Sequence, residues 1–314
     1  MRSEPAVAMR PDGGFIIVWN SANQDGSQDG VYAQRFGATG VPLSRPTDAF
    51  AGTYANPHEF RVNRTTAALQ RQPAVAIRDD NSFVIAWEAS NTTVGFVTHE
   101  AMYQSFNADG TRVGTANDRY ADADNLDLEQ RRVALTGGPA AGNVIIAWQY
   151  DNGAGEQEIR LREIRANGSL GAMKAINAPG GILGNPQLDM NASGAYAVVF
   201  ESDIGGGSIG VVRLDSAGNS LDGGVALTVN QRVVSGAAWP GVAVADDGRV
   251  LALWEAHDTT GPGRDIAARE IAADGRVAAN ETVVSAIVAG IKWCMGSPVR
   301  PIPATMRCPR GRST

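Results

Sequence analysis

Lysine is nearly absent from this 314-residue chain: of 27 basic residues only Lys174 and Lys292 are lysines. Cysteine is as scarce. Cys294 and Cys308 both fall in the last 21 residues, so no Cys-x-x-Cys pair or Cys/His cluster of zinc-binding spacing exists, and a single disulfide in an oxidising compartment is the most they allow. Long apolar runs are missing too. The longest near the C-terminus, Val283 to Trp293, is interrupted by Ser285, Gly290 and Lys292, far short of the ~20 residues of a membrane-spanning helix. No basic segment followed by an apolar stretch opens the chain, so no signal peptide is expected within it. With 43% hydrophobic residues, the sequence nonetheless carries enough apolar material for a large core, which excludes disorder as its dominant state.

Charge narrows the partners. The formal net charge is −6, but five basic residues follow the last acidic one, Glu281, leaving −11 on the body and +5 on the tail. Binding to a phosphate backbone depends on a basic face that displaces counterions, so nucleic acid is not an expected partner. Helical periodicity is absent, as are a Gly-x-x-x-x-Gly-Lys loop and a Gly-x-Gly-x-x-Gly turn opening a helix, which disfavours nucleotide chemistry.

What is present is a repeat. Pro5-Ala-Val-Ala-Met9, then Asp12-Gly13, then Phe15-Ile-Ile-Val-Trp19 returns as Pro73–Ile77, Asp79-Asp80 and Phe83–Trp87. It returns again as Arg132–Leu135 and Val144–Trp148, as Pro186–Met190 and Tyr196–Phe200, and as Pro240–Val244 and Val250–Trp254. The closing aromatics Trp19, Trp87, Trp148, Phe200 and Trp254 are spaced by 68, 61, 52 and 54 residues. A second signature, apolar-x-small-x-Gly, follows each one: Phe36–Gly40, Phe106–Gly110, Ile164–Gly168, Leu214–Gly218 and Ile271–Gly275.

Short apolar runs separated by turn chemistry predict antiparallel strands, four to a repeat. Strand A is the Pro-Ala-Val-Ala segment, strand B ends in the aromatic, strand C resembles Tyr32–Phe36, and strand D follows, as at Phe60–Asn63 and Leu227–Asn230. Four strands repeated radially predict an all-β protein: a β-propeller of five four-stranded antiparallel blades with an irregular C-terminal tail. The expected blades cover about residues 1–65, 66–124, 125–178, 179–231 and 232–285, with a basic tail over 286–314. The aromatic ladder is read as packing between blades.

These units resemble the β-propeller-like repeats, about 50 residues each, of large secreted bacterial surface proteins. The first blade carries the resemblance best, with Asp25-Gly26, Asp29-Gly30 and Val31–Phe36. The resemblance spans about residues 5–285 and implies an exported or surface-associated parent, secreted or at the cell surface. It brings no catalytic residue with it.

Topology places the A–B and C–D turns on one face and the longer B–C and D–A connections on the other, where function is expected to collect. The insertion 42–58 is expected on the rim or the opposite face. Directly after the strand-B aromatic stand Asn20, Glu88, Gln149, Glu201 and Glu255, equivalent positions that would form a polar circle if the wheel closes. Three carboxylates there can perturb one another's ionisation, bind a cation or divide into acid and base; alternatively, each faces solvent or caps a loop. His99 and His257 fall in the same class of loop and are candidate proton carriers. Ser208 sits in Gly206-Gly-Ser-Ile-Gly210, a nucleophile-elbow pattern, although it leads into a strand rather than a helix. Asp122, Asp124 and Asp127 concentrate oxygen ligands and are candidate calcium ligands, without the glycine and spacing of an EF-hand; no other cofactor is expected.

The sequence therefore supports two readings. The first is a binding or scaffold propeller recognising a carbohydrate or cell-surface protein through its long-loop face. The second is a hydrolase acting on a glycoside or small ester, with Glu88, Glu201, Glu255, His99, His257 and Ser208 as candidate catalytic residues over the central channel.

Overall fold

The computed structural model describes residues 1–285 apart from 53, 68, 92–97, 115–117, 127, 138–141, 178–180, 204–206, 232–237 and 258–263. Among the described residues there is no α-helix. Twenty strands form five four-stranded antiparallel sheets, each in plain A-B-C-D order. Blade 1 comprises β1 (Arg2–Met9), β2 (Phe15–Ala22), β3 (Asp29–Phe36) and β4 (Phe60–Arg61). Blade 2 comprises β5 (Gln70–Ile77), β6 (Phe83–Asn91), β7 (Thr98–Phe106) and β8 (Arg119–Tyr120). In blade 3 these are β9 (Gln130–Gly137), β10 (Val144–Asp151), β11 (Gln157–Ile164) and β12 (Lys174–Ile176). Blade 4 contains β13 (Leu183–Met190), β14 (Tyr196–Ser202), β15 (Ser208–Leu214) and β16 (Leu227–Thr228). Blade 5 contains β17 (Ala238–Val244), β18 (Val250–His257), β19 (Arg264–Ile271) and β20 (Thr282–Ser285). The chain is a β-propeller.

Local chemistry explains the repetition. Each C–D connection is the same turn, in which a glycine amide bonds back three residues, as Gly40 to the Gly37 carbonyl at 2.9 Å and Gly168 to the Arg165 carbonyl at 2.8 Å. The glycines of all five turns have φ between 73° and 90°, a region a Cβ strongly disfavours. Strand D is shorter than its sequence pattern suggests because a side chain finishes its ladder. Asn63 Oδ1 accepts the Val31 amide at 2.8 Å, and Asn230 Oδ1 accepts that of Ile209 at 2.9 Å.

Strand B is continuously apolar, rather than alternating, because a blade is covered on both faces. Ile16, Val18 and Phe60 of blade 1 pack with Phe83, Ile85 and Trp87 of blade 2. The opposite face of blade 2, Val84 and Ala86, packs with Val144, Ile146 and Trp148 of blade 3. Ile145 and Ala147 then meet Tyr196, Val198 and Phe200, and Ala197 and Val199 meet Val250, Ala252 and Trp254. The ladder of aromatics is thus inter-blade core. Each blade presents its aromatic on a leading face, toward the preceding blade, and smaller residues on a trailing face.

Cationic side chains reinforce the same boundaries on the tight-turn face. Arg35 donates to the Ala108 carbonyl at 2.9 Å, Arg119 to Gly168 at 2.6 Å, Lys174 to Ala217 at 2.8 Å and Arg213 to Ala273 at 2.9 Å, each reaching a C–D turn of the next blade. Arg78, fully buried, spans from blade 2 to the Ile164 and Arg165 carbonyls of blade 3, and burial pulls its guanidinium below the usual arginine range. A guanidinium fork can satisfy several carbonyls at once where an ammonium is a point charge, which gives the arginine bias a structural use. From the insertion after strand C of blade 1, Asp48 reaches blade 2, where it accepts the Arg112 amide at 2.7 Å.

Innermost strands pack in succession, β1 on β5, β5 on β9, β9 on β13 and β13 on β17. No core cluster among the described residues joins blade 5 to blade 1. Five blades therefore share four built boundaries, and the closed polar circle expected from the sequence lacks its fifth link.

Two outcomes follow. Trp87→Ala, which empties a covered boundary, is expected to cost about 3–5 kcal/mol in denaturant unfolding. Asp189 accepts the Val244 amide at 2.7 Å across the boundary of blades 4 and 5, and burial raises its carboxyl above the usual range. Its contribution is therefore fully present in acid and is lost as pH rises through the folded value. Asp189→Asn should gain stability relative to the parent between acid and neutral pH; an unchanged difference across that range would contradict this.

Candidate functional site at the mouth of the hub

Each strand A carries a β-bulge, and at each bulge one non-glycine residue has positive φ: Glu4 (51°), Gln72 (50°), Arg132 (57°), Asn185 (49°) and Trp239 (53°). Such a conformation costs of order 1–3 kcal/mol and persists only when its surroundings enforce it. The enforcement comes from the neighbouring blade. Glu88 Oε2 accepts the Arg132 amide at 3.3 Å and Glu201 Oε1 accepts the Trp239 amide at 2.7 Å. At the first boundary Glu4 Oε2 accepts the Gln72 amide at 2.8 Å, and Asn20 Nδ2 donates to the same oxygen. Gln149 lies against Gly184, where an added Cβ would stand 3.0 Å from its Oε1.

Of the residues after the strand-B aromatics, Glu88 and Glu201 are consequently clasps between blades. Glu88, Glu201 and Glu255 each have a separate partner: the Arg132 amide, the Trp239 amide and Arg264. Glu255, on the last blade, is paired with Arg264 of its own blade.

One clasp is elaborated. His99, opposite Ser90 in the β6–β7 ladder, directs Nδ1 to Glu129 Oε2 at 2.9 Å and Nε2 toward Glu88 Oε1 at 3.7 Å. Arg131 Nε donates to the same Glu129 oxygen at 2.6 Å. A histidine held between two carboxylates has its ring orientation fixed and is suited to carry a proton.

The other predicted residues are placed apart. Ser208 opens β15 opposite Ser202 and runs directly into the strand, so the strand-to-helix turn of a nucleophile elbow is not formed. His257 ends β18, and its side chain lies outside the described residues. Asp122 is buried and engaged with Arg160, and it accepts from Asn125 Nδ2 at 3.0 Å. Asp127 lies outside the described residues, and no group of three metal-ligating side chains is gathered among those described, Asp124 included.

Sequence reasoning missed the hub residues themselves. The five bulge residues carry the same backbone and five different side chains, Glu4, Gln72, Arg132, Asn185 and Trp239, at the long-loop mouth. Trp239 is 53% exposed, and the Arg132 guanidinium lies 5.6 Å from its ring centroid, joining blade 3 to blade 5 across the hub. A signal was available: Trp239 stands outside the aromatic ladder, directly before the proline of strand A. Beside the mouth, a cavity of about 170 Å³ between blades 1 and 2 is lined by Gln70, Trp87, Ser90, Glu100, Asp118 and Tyr120. A larger one, about 320 Å³, opens on the opposite face near Glu163, Lys174 and Tyr196.

No family model matches the sequence, and no curated protein does. Solved structures do match. A protein of unknown function from Dyadobacter fermentans aligns with a TM-score of 0.52 at 11% identity, over 90% of this chain and 83% of that one. An α-L-arabinofuranosidase from Lactobacillus brevis aligns at 0.50 and 12%, over 88% and 93%, and a Hadza microbial sialidase at 0.51 and 13%, over 90% and 58%. At these identities the likeness establishes the fold.

If the clasps hold the bulges, Glu88→Ala should cost about 1–3 kcal/mol by stranding the Arg132 amide, whereas Glu88→Gln, which keeps an acceptor, should cost much less. Equal losses in denaturant unfolding would point to charge rather than the hydrogen bond.

Proposed function

We propose that this propeller binds a carbohydrate at the long-loop mouth of its hub, with Trp239 as the stacking surface and Arg132, Asn185 and Gln72 as hydrogen-bonding partners. The single observation that carries the reading is the exposed Trp239, fixed in a strained conformation by Glu201 and flanked by a guanidinium. An aromatic face with a few fixed polar groups around it is a suitable surface for the apolar side of a sugar ring and its hydroxyls. The ligand class is also supported by the arabinofuranosidase and the sialidase among the structural likenesses. Binding without turnover is favoured because Glu88, Glu201 and Glu255 are each occupied by a structural contact. Within this reading the parent is exported or displayed at a cell surface, where glycans are met.

A second reading rests on one observation, the Glu88–His99–Glu129 array, which has the parts of a general acid-base relay for hydrolysis of a glycoside or ester.

Titration with arabino-oligosaccharides and sialylated oligosaccharides tests the first reading. Trp239→Ala should weaken binding by about tenfold or more, with unfolding unchanged because the ring is exposed. Binding that survives Trp239→Ala, or no binding to either set, would count against it. Turnover of chromogenic glycosides or esters by the parent, lost in His99→Gln, would favour the second reading instead.

A further inference from the structure

The four built boundaries show what a covered blade face looks like, and two faces of this chain have that design without the cover. Phe15 and Phe36 of blade 1 stack with centroids 4.6 Å apart and planes 11° apart. Phe83 and Phe106 make the same stack in blade 2, at 4.8 Å and 11°, and there both rings are fully buried, with Phe60 of blade 1 packed edge-on at 5.8 Å. The blade 1 pair is only half-buried. Beside it on the leading face, Val7 pairs with Ile17 and Met9 with Phe15, and Val7 is 40% and Met9 57% exposed. Pro5 is exposed, whereas Pro73, Pro186 and Pro240 at the equivalent positions are buried.

The trailing face of blade 5 is the complementary half. Leu251 and Leu253 occupy the positions of Ile16 and Val18 of blade 1, which cover Phe83 and Trp87, yet Leu251 is 43% exposed and Leu253 half-buried. Glu255, the clasp residue of this face, is turned to Arg264. No packed contact comparable to the other four brings the two faces of the chain together among the described residues.

We propose that the trailing face of blade 5 docks the leading face of blade 1 of a second copy of this chain, head to tail. The new boundary follows the pattern of that between blades 2 and 3: Leu251 and Leu253 cover the half-buried Phe15–Phe36 stack beside Trp19, which is itself already buried, and Glu255 accepts the amide of the Glu4 bulge as Glu88 accepts that of Arg132. The contact is heterologous, each copy offering one face and keeping the other, so association closes into a ring or continues as an open chain.

Sedimentation of the intact chain across a range of concentrations, with surface variants, tests this. Val7→Glu spoils only the leading face and Leu251→Glu only the trailing face, and both side chains are already exposed, so neither should alter unfolding of the single chain. The parent should sediment as oligomers that grow with concentration, and each variant alone as monomer. Mixing Val7→Glu with Leu251→Glu should restore a species of two chains and no larger, because one intact face of each kind remains. A parent that is monomeric at every concentration would overturn the proposal, the two faces then being closed within one chain. So would an oligomer that both variants leave intact, or a mixture of the variants that stays monomeric.

Discussion

A single four-stranded blade cannot bury both faces of its strand B, and that deficit organises the molecule. Each blade exposes two apolar surfaces, and radial stacking is the arrangement that covers them with further copies of the same unit. Trp87, Trp148 and Trp254 of the leading faces are the largest fully buried side chains among the described residues. Around that core the polar groups follow. Glu4, Glu88 and Glu201 hold the next blade's bulge amide at the hub, and Arg35, Arg119, Lys174 and Arg213 reach the next blade's turns on the opposite face. The apolar core is common to all four boundaries, whereas the polar contacts differ from one boundary to the next.

Much of this was legible because it is periodic. The Pro-Ala-Val-Ala strand, the aromatic and the glycine turn recur at matching places, and the five sheets follow from them. The short D strands were less so, since Asn63 and Asn230 complete the ladder with side chains that no strand pattern reveals. The site was read less well, for a definable reason. Glu88, Glu201 and Glu255 are equivalent by sequence, and equivalence predicts a shared location; it does not show that Glu88 and Glu201 bond the adjacent blade while Glu255 pairs with Arg264 of its own. The residue that differs among blades, at the bulge within strand A, is the one on which the proposed binding rests. Arg132 lacks the following proline that marks the other four, so the series was incomplete to the eye.

Structure and proposed function meet at the bulges. A left-handed non-glycine residue in each innermost strand would be a defect in isolation, yet at Gln72, Arg132 and Trp239 a carboxylate of the preceding blade makes it a fixed mounting for a side chain at the hub. The scaffold can thus hold its backbone constant while the mouth varies from carboxylate to amide, guanidinium and indole. Glu88 and Glu201 have a structural contact with the next blade's bulge, while Trp239 is presented to solvent.

The central claim is that the clasps hold the bulge amides, and site-resolved hydrogen exchange tests it directly. The amides of Arg132 and Trp239 should be protected in the parent and lose that protection selectively in Glu88→Ala and Glu201→Ala respectively, with the centres of β10 and β14 unchanged. Exchange at those two amides that is fast in the parent, or indifferent to removal of the carboxylates, would contradict the account.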